Sequence, residues 1–178
     1  QYNKNFSSFI TIEDVEINGF VVGIVFEPAS TTSVNGNSDF IIIRDSTIQR
    51  CAYGVVPTSP NNRQFEMSGN CSISQVHTAF TNHVYGAQQG TIGGNFNNVY
   101  SEFDSPMLFN RCYSENIYKI GNITLGSTSD NQTTVFNSCS FNFNLINTGQ
   151  RGVPDYILSG NSATWKIIGG TFYVDSTL

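Results

Sequence analysis

Three acidic residues in the middle of the chain are the candidates for catalytic carboxylates: Glu102, Asp104 and Glu115. Enzymes that cleave glycosidic bonds generally use two carboxyl groups about 5–10 Å apart, one as acid and the other as base or nucleophile. Glu102 and Asp104 flank Phe103, so on a strand with Phe103 facing inward both carboxylates face outward from one wall. Glu115 falls on the following segment of the chain. The pattern predicts a catalytic group, and ordinary solvated surface carboxylates are the alternative.

Exposed aromatic side chains would let the chain hold sugars, because ring faces pack on the apolar faces of pyranose rings. Asn and Gln side chains supply donors and acceptors for the sugar hydroxyl groups. Tyr113 is expected in the core, and Tyr173 is expected to contact a neighbouring segment or subunit. The same contact is the alternative role for Trp165. The candidates for substrate binding are Tyr85, Tyr100, Tyr156 and Trp165.

Residues that bind metals or act as nucleophiles form no recognisable motif. The two histidines, His77 and His83, are separated by six positions, and no G-x-S-x-G sequence occurs. The four cysteines include no C-x-x-C pair, so we expect no metal site and no cofactor. We expect small buried thiols instead, with disulfides allowed by the even number but not required. The cysteines are Cys51, Cys71, Cys112 and Cys139.

The composition favours strands over helices and excludes several classes of partner. Of the 178 residues only 12% are charged, whereas there are 16 Gly, 14 Phe and 8 Tyr. Aromatic residues suit pleated surfaces, and Gly and Asn suit corners. The net charge of −5, with eight basic residues spread along the chain, argues against nucleic acid as a partner. No apolar run reaches the ~20 residues of a transmembrane helix, so membrane insertion is not expected.

An internal repeat is the clearest pattern in the sequence. Each copy has an apolar anchor, and a small or turn-forming corner residue stands three positions before it. The anchors are Ile17, Ile48, Ile73, Phe96, Tyr113, Phe141 and Phe172, and the corners are Asp14, Asp45, Asn70, Gly93, Asn110, Ser138 and Gly169. The anchor spacing varies from 17 residues (96 to 113) to 31 residues (17 to 48), which indicates loops of different length between strands of constant register.

The repeat predicts an all-β fold, a right-handed, single-stranded parallel β-helix of about seven coils. Alternation along short strands places the apolar residues inside, and the column of Asp, Asn and Gly marks a sharp corner. Coils stacked about 4.8 Å apart then pair each strand with its equivalent in the next coil. A β-sandwich is the alternative, but its hairpins would not keep one corner column in register.

The repeat runs through residues 1–178, so we expect a single domain. Neither end carries an amphipathic helix or a charged cap, although exposed terminal strands promote aggregation. We therefore expect the chain to be a fragment of a longer protein, or to stack against other chains.

Four stretches carry a resemblance to a known superfamily: Ile12–Ile17, Ile43–Ile48, Phe136–Phe141 and Ile168–Phe172. Through their shared corner and anchor, roughly residues 9–178 resemble the pectate-lyase-like right-handed β-helix superfamily. Within it, the Asn-, Ser-, Thr- and Gly-rich sequence with many aromatic residues is most similar to bacteriophage tailspikes and related virion appendages. That resemblance implies a homotrimer in the virion that binds, and in many cases cleaves, bacterial surface polysaccharide.

Two other functions fit the same fold. Secreted stand-alone polysaccharide lyases and glycoside hydrolases share it, but the N-T-D, D-D, G-H-G and R-I-K motifs of polygalacturonases are absent here. The Asp cluster that binds calcium in pectate lyases is absent from the sequence as well. A bacterial adhesin whose β-helix rod only spaces other domains is the third hypothesis.

Overall fold

A computed structural model describes residues 6–26, 37–57, 63–80, 89–103, 108–124, 133–143, 158–161 and 164–174. Fourteen strands and no helix occur among these residues, which confirms the all-β prediction. The strands are β1 (Phe6–Glu13), β2 (Glu16–Asn18), β3 (Val22–Phe26), β4 (Asn37–Arg44), β5 (Thr47–Gln49), β6 (Tyr53–Pro57), β7 (Arg63–Ser68), β8 (Ser72–Phe80), β9 (Gln89–Phe103), β10 (Leu108–Ile117), β11 (Gly121–Thr124), β12 (Thr133–Phe143), β13 (Leu158–Asn161) and β14 (Thr164–Val174).

All strand pairs in the described part of the chain are parallel, and they join equivalent strands of successive turns. One path runs in the order β1-β4-β7-β9-β10-β12-β14. We call each strand of this path, together with the corner and the residues that follow it up to the next loop, a rung. Round the corner β2 pairs with β5 and β5 with β8, and on a third face β3 pairs with β6 and β6 with β8. The fold is therefore a parallel β-solenoid. A β-sandwich is excluded for these residues because its sheets are antiparallel.

Apolar residues of successive rungs lie above one another inside the solenoid. One column runs from Ile48 through Ile73 to Phe96. In the column before the corner, the rings of Phe109 and Phe136 stack with centroids 4.8 Å apart. Burying each such side chain contributes about 1.5–3 kcal/mol. The largest fully buried side chains are Phe80, Phe96, Phe109, Phe136, Phe141, Phe143, Ile41, Ile43, Ile48, Met67 and Ile73.

The corner of each rung contains a residue in the left-handed backbone conformation. Four predicted corner residues adopt it: Asp14, Asp45, Ser138 and Gly169, with φ between 48° and 64°. Asp and Gly tolerate this conformation better than most residues, which explains why they recur there.

In three rungs the predicted corner is wrong by one position. The left-handed residue is Gly69 and not Asn70, Gly94 and not Gly93, and Arg111 and not Asn110. Two of these errors arise because the sequence pattern assumed a constant distance from corner to anchor, whereas the corner is one residue longer after Met67 and one residue shorter after Ile92. Arg111 lies three positions before the inward Ser114, so the third error follows from a misplaced anchor. The column of corners is nevertheless present, as the repeat predicts.

The fifth anchor is also wrong by one position. Ser114, not Tyr113, is the register partner of Phe96 below and Phe141 above, and Ser114 is 0% exposed whereas Tyr113 is 48% exposed. Inward positions are usually apolar, so the sequence pattern selected Tyr113 as the anchor instead of the neighbouring Ser114. The Ser114 Oγ is buried without a hydrogen-bond partner among the described residues.

Asp45 connects two corners. Its Oδ1 accepts hydrogen bonds from the main-chain N–H of Asn70 at 2.9 Å and from Asn70 Nδ2 at 3.3 Å. We expect Asp45→Ala to lower the free energy of unfolding by about 1–2 kcal/mol, because it removes the acceptor and places an ill-suited residue in a left-handed conformation. Asp45→Asn keeps an acceptor oxygen and should retain most of the stability. Urea unfolding of both variants measures the difference, and equal losses would contradict this role of the carboxylate oxygen.

The last rung, β14, leaves its inward face uncovered. Phe172 is 44% exposed, although its register partner Phe141 on β12 is 0% exposed. Val174 and Ile167 are exposed in the same way, opposite the buried Phe143 and Phe136. The difference arises because β12 lies between β10 and β14, whereas β14 has β12 on one side and none of the described strands on the other.

Candidate functional site

The wall that follows the corner presents two outward columns of polar and aromatic residues. They flank the inward anchors, because neighbouring side chains on a strand point to opposite faces. The first column is Glu16, Thr47, Ser72, Asn95, Tyr113, Ser140 and Thr171, and the second is Asn18, Gln49, Ser74, Asn97, Glu115, Asn142 and Tyr173. Neither column contains a lysine or an arginine.

Two exposed tyrosines mark one end of this wall. Tyr113 lies on β10 in the first column, and Tyr173, 56% exposed, lies on β14 in the second column. They are two rungs and two residues apart, which corresponds to about 12 Å between their positions on the sheet. We call the six residues at this end the tyrosine patch: Tyr113, Glu115, Ser140, Asn142, Thr171 and Tyr173.

Polar groups lie within the tyrosine patch and on the neighbouring strand β9. Asn97 Nδ2 donates a hydrogen bond to Glu115 Oε2 at 3.3 Å, and Asn116 Nδ2 donates to Asn97 Oδ1 at 3.4 Å. These bonds hold the Glu115 carboxylate and the Asn97 amide in fixed positions. The Oδ1 of Asn142, on the next rung, is buried without a partner among the described residues. Such an unused acceptor is uncommon in a folded protein.

The patch can bind a ligand that offers both apolar faces and hydroxyl groups. Exposed tyrosine rings provide flat apolar surfaces with a polar tip, and side-chain amides and hydroxyls provide donors and acceptors. The parallel sheet beneath fixes their spacing, so little conformational freedom is lost when a rigid ligand binds. Glu115 is the one charged residue of the patch, which therefore favours an uncharged ligand over an anionic one.

Glu115 is the one predicted site residue whose side chain the structure describes. Glu102 and Tyr100 lie on β9 and Trp165 lies on β14, with their side chains outside the described residues. Asp104, Tyr85 and Tyr156 lie outside the described residues altogether.

The backbone register places Glu102 and Glu115 on different faces of the solenoid. Glu115 pairs with Asn97 on β9 and with Asn142 on β12, so its immediate neighbours are amides. On β9, Ser101 and Phe103, which flank Glu102, pair with the end of β8 on another face.

Sequence reasoning did not select either tyrosine of the patch as a candidate for substrate binding. Tyr113 was assigned to the core, which is wrong because the adjacent Ser114 faces inward. The signal that would have found it is the spacing of five residues from the inward Phe109 to Ser114, which equals the spacing from Phe136 to Phe141. Tyr173 was assigned to a contact with a neighbouring segment or subunit, and it lies exposed on β14.

A second pair of exposed aromatic rings lies at the opposite end of the solenoid. Phe9 and Phe40 stack with centroids 4.7 Å apart and an interplanar angle of 8°. Both have a left-handed backbone, with φ of 62° and 58°, a strained conformation for so bulky a residue. The rings carry no polar tip, so this pair matches a sugar less well than the tyrosine patch does.

Metal-binding residues do not cluster in the described part of the chain. No group of three or more His, Cys, Asp or Glu residues there could hold a metal ion. His77 Nδ1 lies 3.0 Å from Thr78 Oγ1, and His83 lies outside the described residues. The four cysteines are buried, and none of them is in a disulfide. None of the described segments is a helix long and apolar enough to cross a membrane.

Comparisons with protein-family models, with curated proteins and with solved structures find no match to this chain. The case for a function therefore rests on the residues of the tyrosine patch and on the wall that holds them.

Proposed function

We propose that this chain binds bacterial surface polysaccharide through the tyrosine patch. The observation that carries the proposal is the pair of exposed rings, Tyr113 and Tyr173, with the Glu115 carboxylate and the Asn142 amide between them on a parallel sheet. The separation of about 12 Å suits a chain of linked sugars better than a single sugar. Because the columns of the wall lack basic residues, the proposed ligand is a neutral polysaccharide.

The proposed setting is a bacteriophage tailspike or a related virion appendage. In this proposal the solenoid is a right-handed β-helix of about seven coils that assembles as a homotrimer in the virion. A parallel solenoid with a polar outer wall and a resemblance of the repeat to tailspikes support it. The mass of the protein in solution, from light scattering, tests the assembly: a trimer supports the spike, and a monomer favours a secreted lyase or hydrolase.

The test of the proposed ligand is an array of purified bacterial capsules, O-antigens and exopolysaccharides, probed with the wild-type chain. We expect saturable binding to one or a few neutral polysaccharides, little affected by salt because no basic residue in the patch contributes to it. Binding confined to acidic polysaccharides and abolished by salt would contradict the proposal. Absence of binding to any glycan would favour the structural rod of an adhesin.

Hydrolysis of the bound polysaccharide is a second candidate function. It would require a pair of carboxyl groups about 5–10 Å apart, for which Glu102, Asp104 and Glu115 are the candidates. Release of reducing ends from the bound polysaccharide, lost in Glu102→Gln, Asp104→Asn or Glu115→Gln, would establish it. Because amides surround Glu115, binding is the function that we favour.

A further inference from the structure

A column of small residues lines the corner of the solenoid, next to the left-handed residues. In the rung of β9, Gly94 itself has the positive φ and lies in this column. The column contains Ser46, Cys71, Gly94, Cys112, Cys139 and Gly170, in the order of the rungs. Each of the three cysteines donates its thiol proton to a main-chain carbonyl of the rung below. The acceptors are the carbonyl oxygens of Ile43 for Cys71 at 3.5 Å, Ile92 for Cys112 at 3.3 Å and Phe109 for Cys139 at 3.4 Å.

Cys112 and Cys139 are neighbours in this column. Asn110 pairs with Asn137 and Tyr113 with Ser140, which places Cys112 directly opposite Cys139 on the next strand. Adjacent strands of a sheet lie about 4.8 Å apart, within the range of about 4.4–6.8 Å between the Cα atoms of disulfide-bonded cysteines. The two side chains also contact each other. When Cys139 ionises, the Cys112 thiol can donate to its sulfur in place of the Ile92 carbonyl, and this hydrogen bond lowers the pKa of Cys139 to about 7.

Cys71 shares the corner environment but has no thiol neighbour. Its counterpart on the next rung is Gly94, whose main chain occupies the space where a second thiol would lie. Burial raises the pKa of the Cys71 thiol, because the charged thiolate is poorly solvated in the core. Cys71 is therefore a matched control within the same protein.

We propose that Cys112 and Cys139 form a redox pair, which hydrogen peroxide converts into a disulfide between β10 and β12. The inference is independent of the proposed polysaccharide binding. Cys139 is 2% exposed, so peroxide, which is small and uncharged, reaches its thiol through local opening of β14, an outer strand of the path, whose residue opposite Cys139 is Gly170. Neither Cys51 nor Cys71 has the combination of a stacked thiol and an outer strand next to it.

The chemistry requires one peroxide molecule for each disulfide. The Cys139 thiolate attacks one peroxide oxygen, the O–O bond breaks, and hydroxide leaves, giving Cys139 sulfenic acid. The Cys112 thiolate then attacks the Cys139 sulfur, the S–O bond breaks, and the sulfenic oxygen leaves as hydroxide. The two thiol protons neutralise the two hydroxides that leave, so two thiols and one peroxide yield one disulfide and two waters.

The disulfide would connect the two rungs beneath the tyrosine patch. Cys112 precedes Tyr113 in sequence, and Cys139 precedes Ser140. Oxidation should therefore fix the spacing of these two strands without altering the outward side chains. We expect a higher unfolding temperature for the oxidised protein, because a cross-link between rungs restricts the unfolded chain.

The experiment is treatment of the folded wild-type protein with a small excess of hydrogen peroxide, followed by alkylation in denaturant and peptide mapping by mass spectrometry. We expect a cross-linked peptide pair containing positions 112 and 139, with Cys71 still alkylated, at a rate that rises with pH through about 7. Cys71→Ser should react as the wild type does. In Cys112→Ser, Cys139 should be trapped as sulfenic acid by dimedone.

Two results would overturn the inference. One is that all four thiols of the folded wild-type protein remain alkylatable after peroxide treatment, a measurement that requires no variant to fold. The other is oxidation of Cys71 at the same rate as Cys139, which would show that stacking of two thiols has no influence.

Discussion

Replacement of either patch tyrosine by alanine is expected to weaken polysaccharide binding about tenfold, and replacement of both should abolish measurable binding. Each ring would lose the burial of an exposed aromatic face against a sugar, worth about 1.5 kcal/mol. Tyr113→Phe and Tyr173→Phe keep the ring and should retain most of the affinity. Isothermal titration with the polysaccharide identified on the array measures these differences.

The fold should tolerate both substitutions, because the two side chains are largely exposed and contribute little to the core. Phe20→Ala, which removes another exposed aromatic residue at a distance from the patch, is the control for a general effect of lost surface area. If Phe20→Ala weakened binding as strongly as Tyr113→Ala, the ligand would not be located at the patch. Unchanged binding in the double variant would have the same meaning.

Substitution of Gly94 by alanine is expected to lower the free energy of unfolding by more than about 3 kcal/mol. A Cβ at this position would lie 2.7 Å from the carbonyl oxygen of Cys71 and 3.1 Å from Cε of Met67, and the φ of 136° already disfavours any residue with a side chain. The clash is with the main chain of the neighbouring rung, which cannot move without disturbing the register above and below.

Gly19→Ala separates the two causes of that loss. Gly19 also has a positive φ, of 83°, but no atom lies within 4 Å of the position of its missing Cβ. Backbone strain without a clash should therefore cost about 1–2 kcal/mol in Gly19→Ala. Urea unfolding of both variants provides the comparison, and a similar loss in the two would show that stacking against the next rung is looser than the structure indicates.

The solenoid could be predicted because its rungs repeat the same physical requirements. Inward apolar residues and a left-handed corner recur at nearly constant spacing, so Asp14, Asp45, Ser138 and Gly169 were identified correctly. The register failed where the corner changed length, as between Met67 and Ile73. It failed also where an inward position held a serine, because Ser114 gives no apolar signal.

The site was harder to predict than the fold. A shift of one residue reverses the face of every side chain on a strand, and that shift moved Tyr113 from the wall into the expected core. Contacts between rungs, such as Asn97 with Glu115 or Cys112 with Cys139, depend on the lengths of the loops between them. Those lengths vary from rung to rung, so positions 18 or 27 residues apart cannot be matched until the register is known.

The uncovered face of β14 has a consequence for the way in which the molecule unfolds. In a stack where each rung contacts only its neighbours, an inner strand loses two interfaces on detachment, whereas an outer strand loses one. Opening should therefore begin at the two outer strands, β14 and β1, and proceed inward, at a lower free energy than global unfolding. Amide hydrogen exchange would record this as a gradient of protection, fastest in β14 and β1 and slowest in the strands β8 to β10 at the centre of the stack.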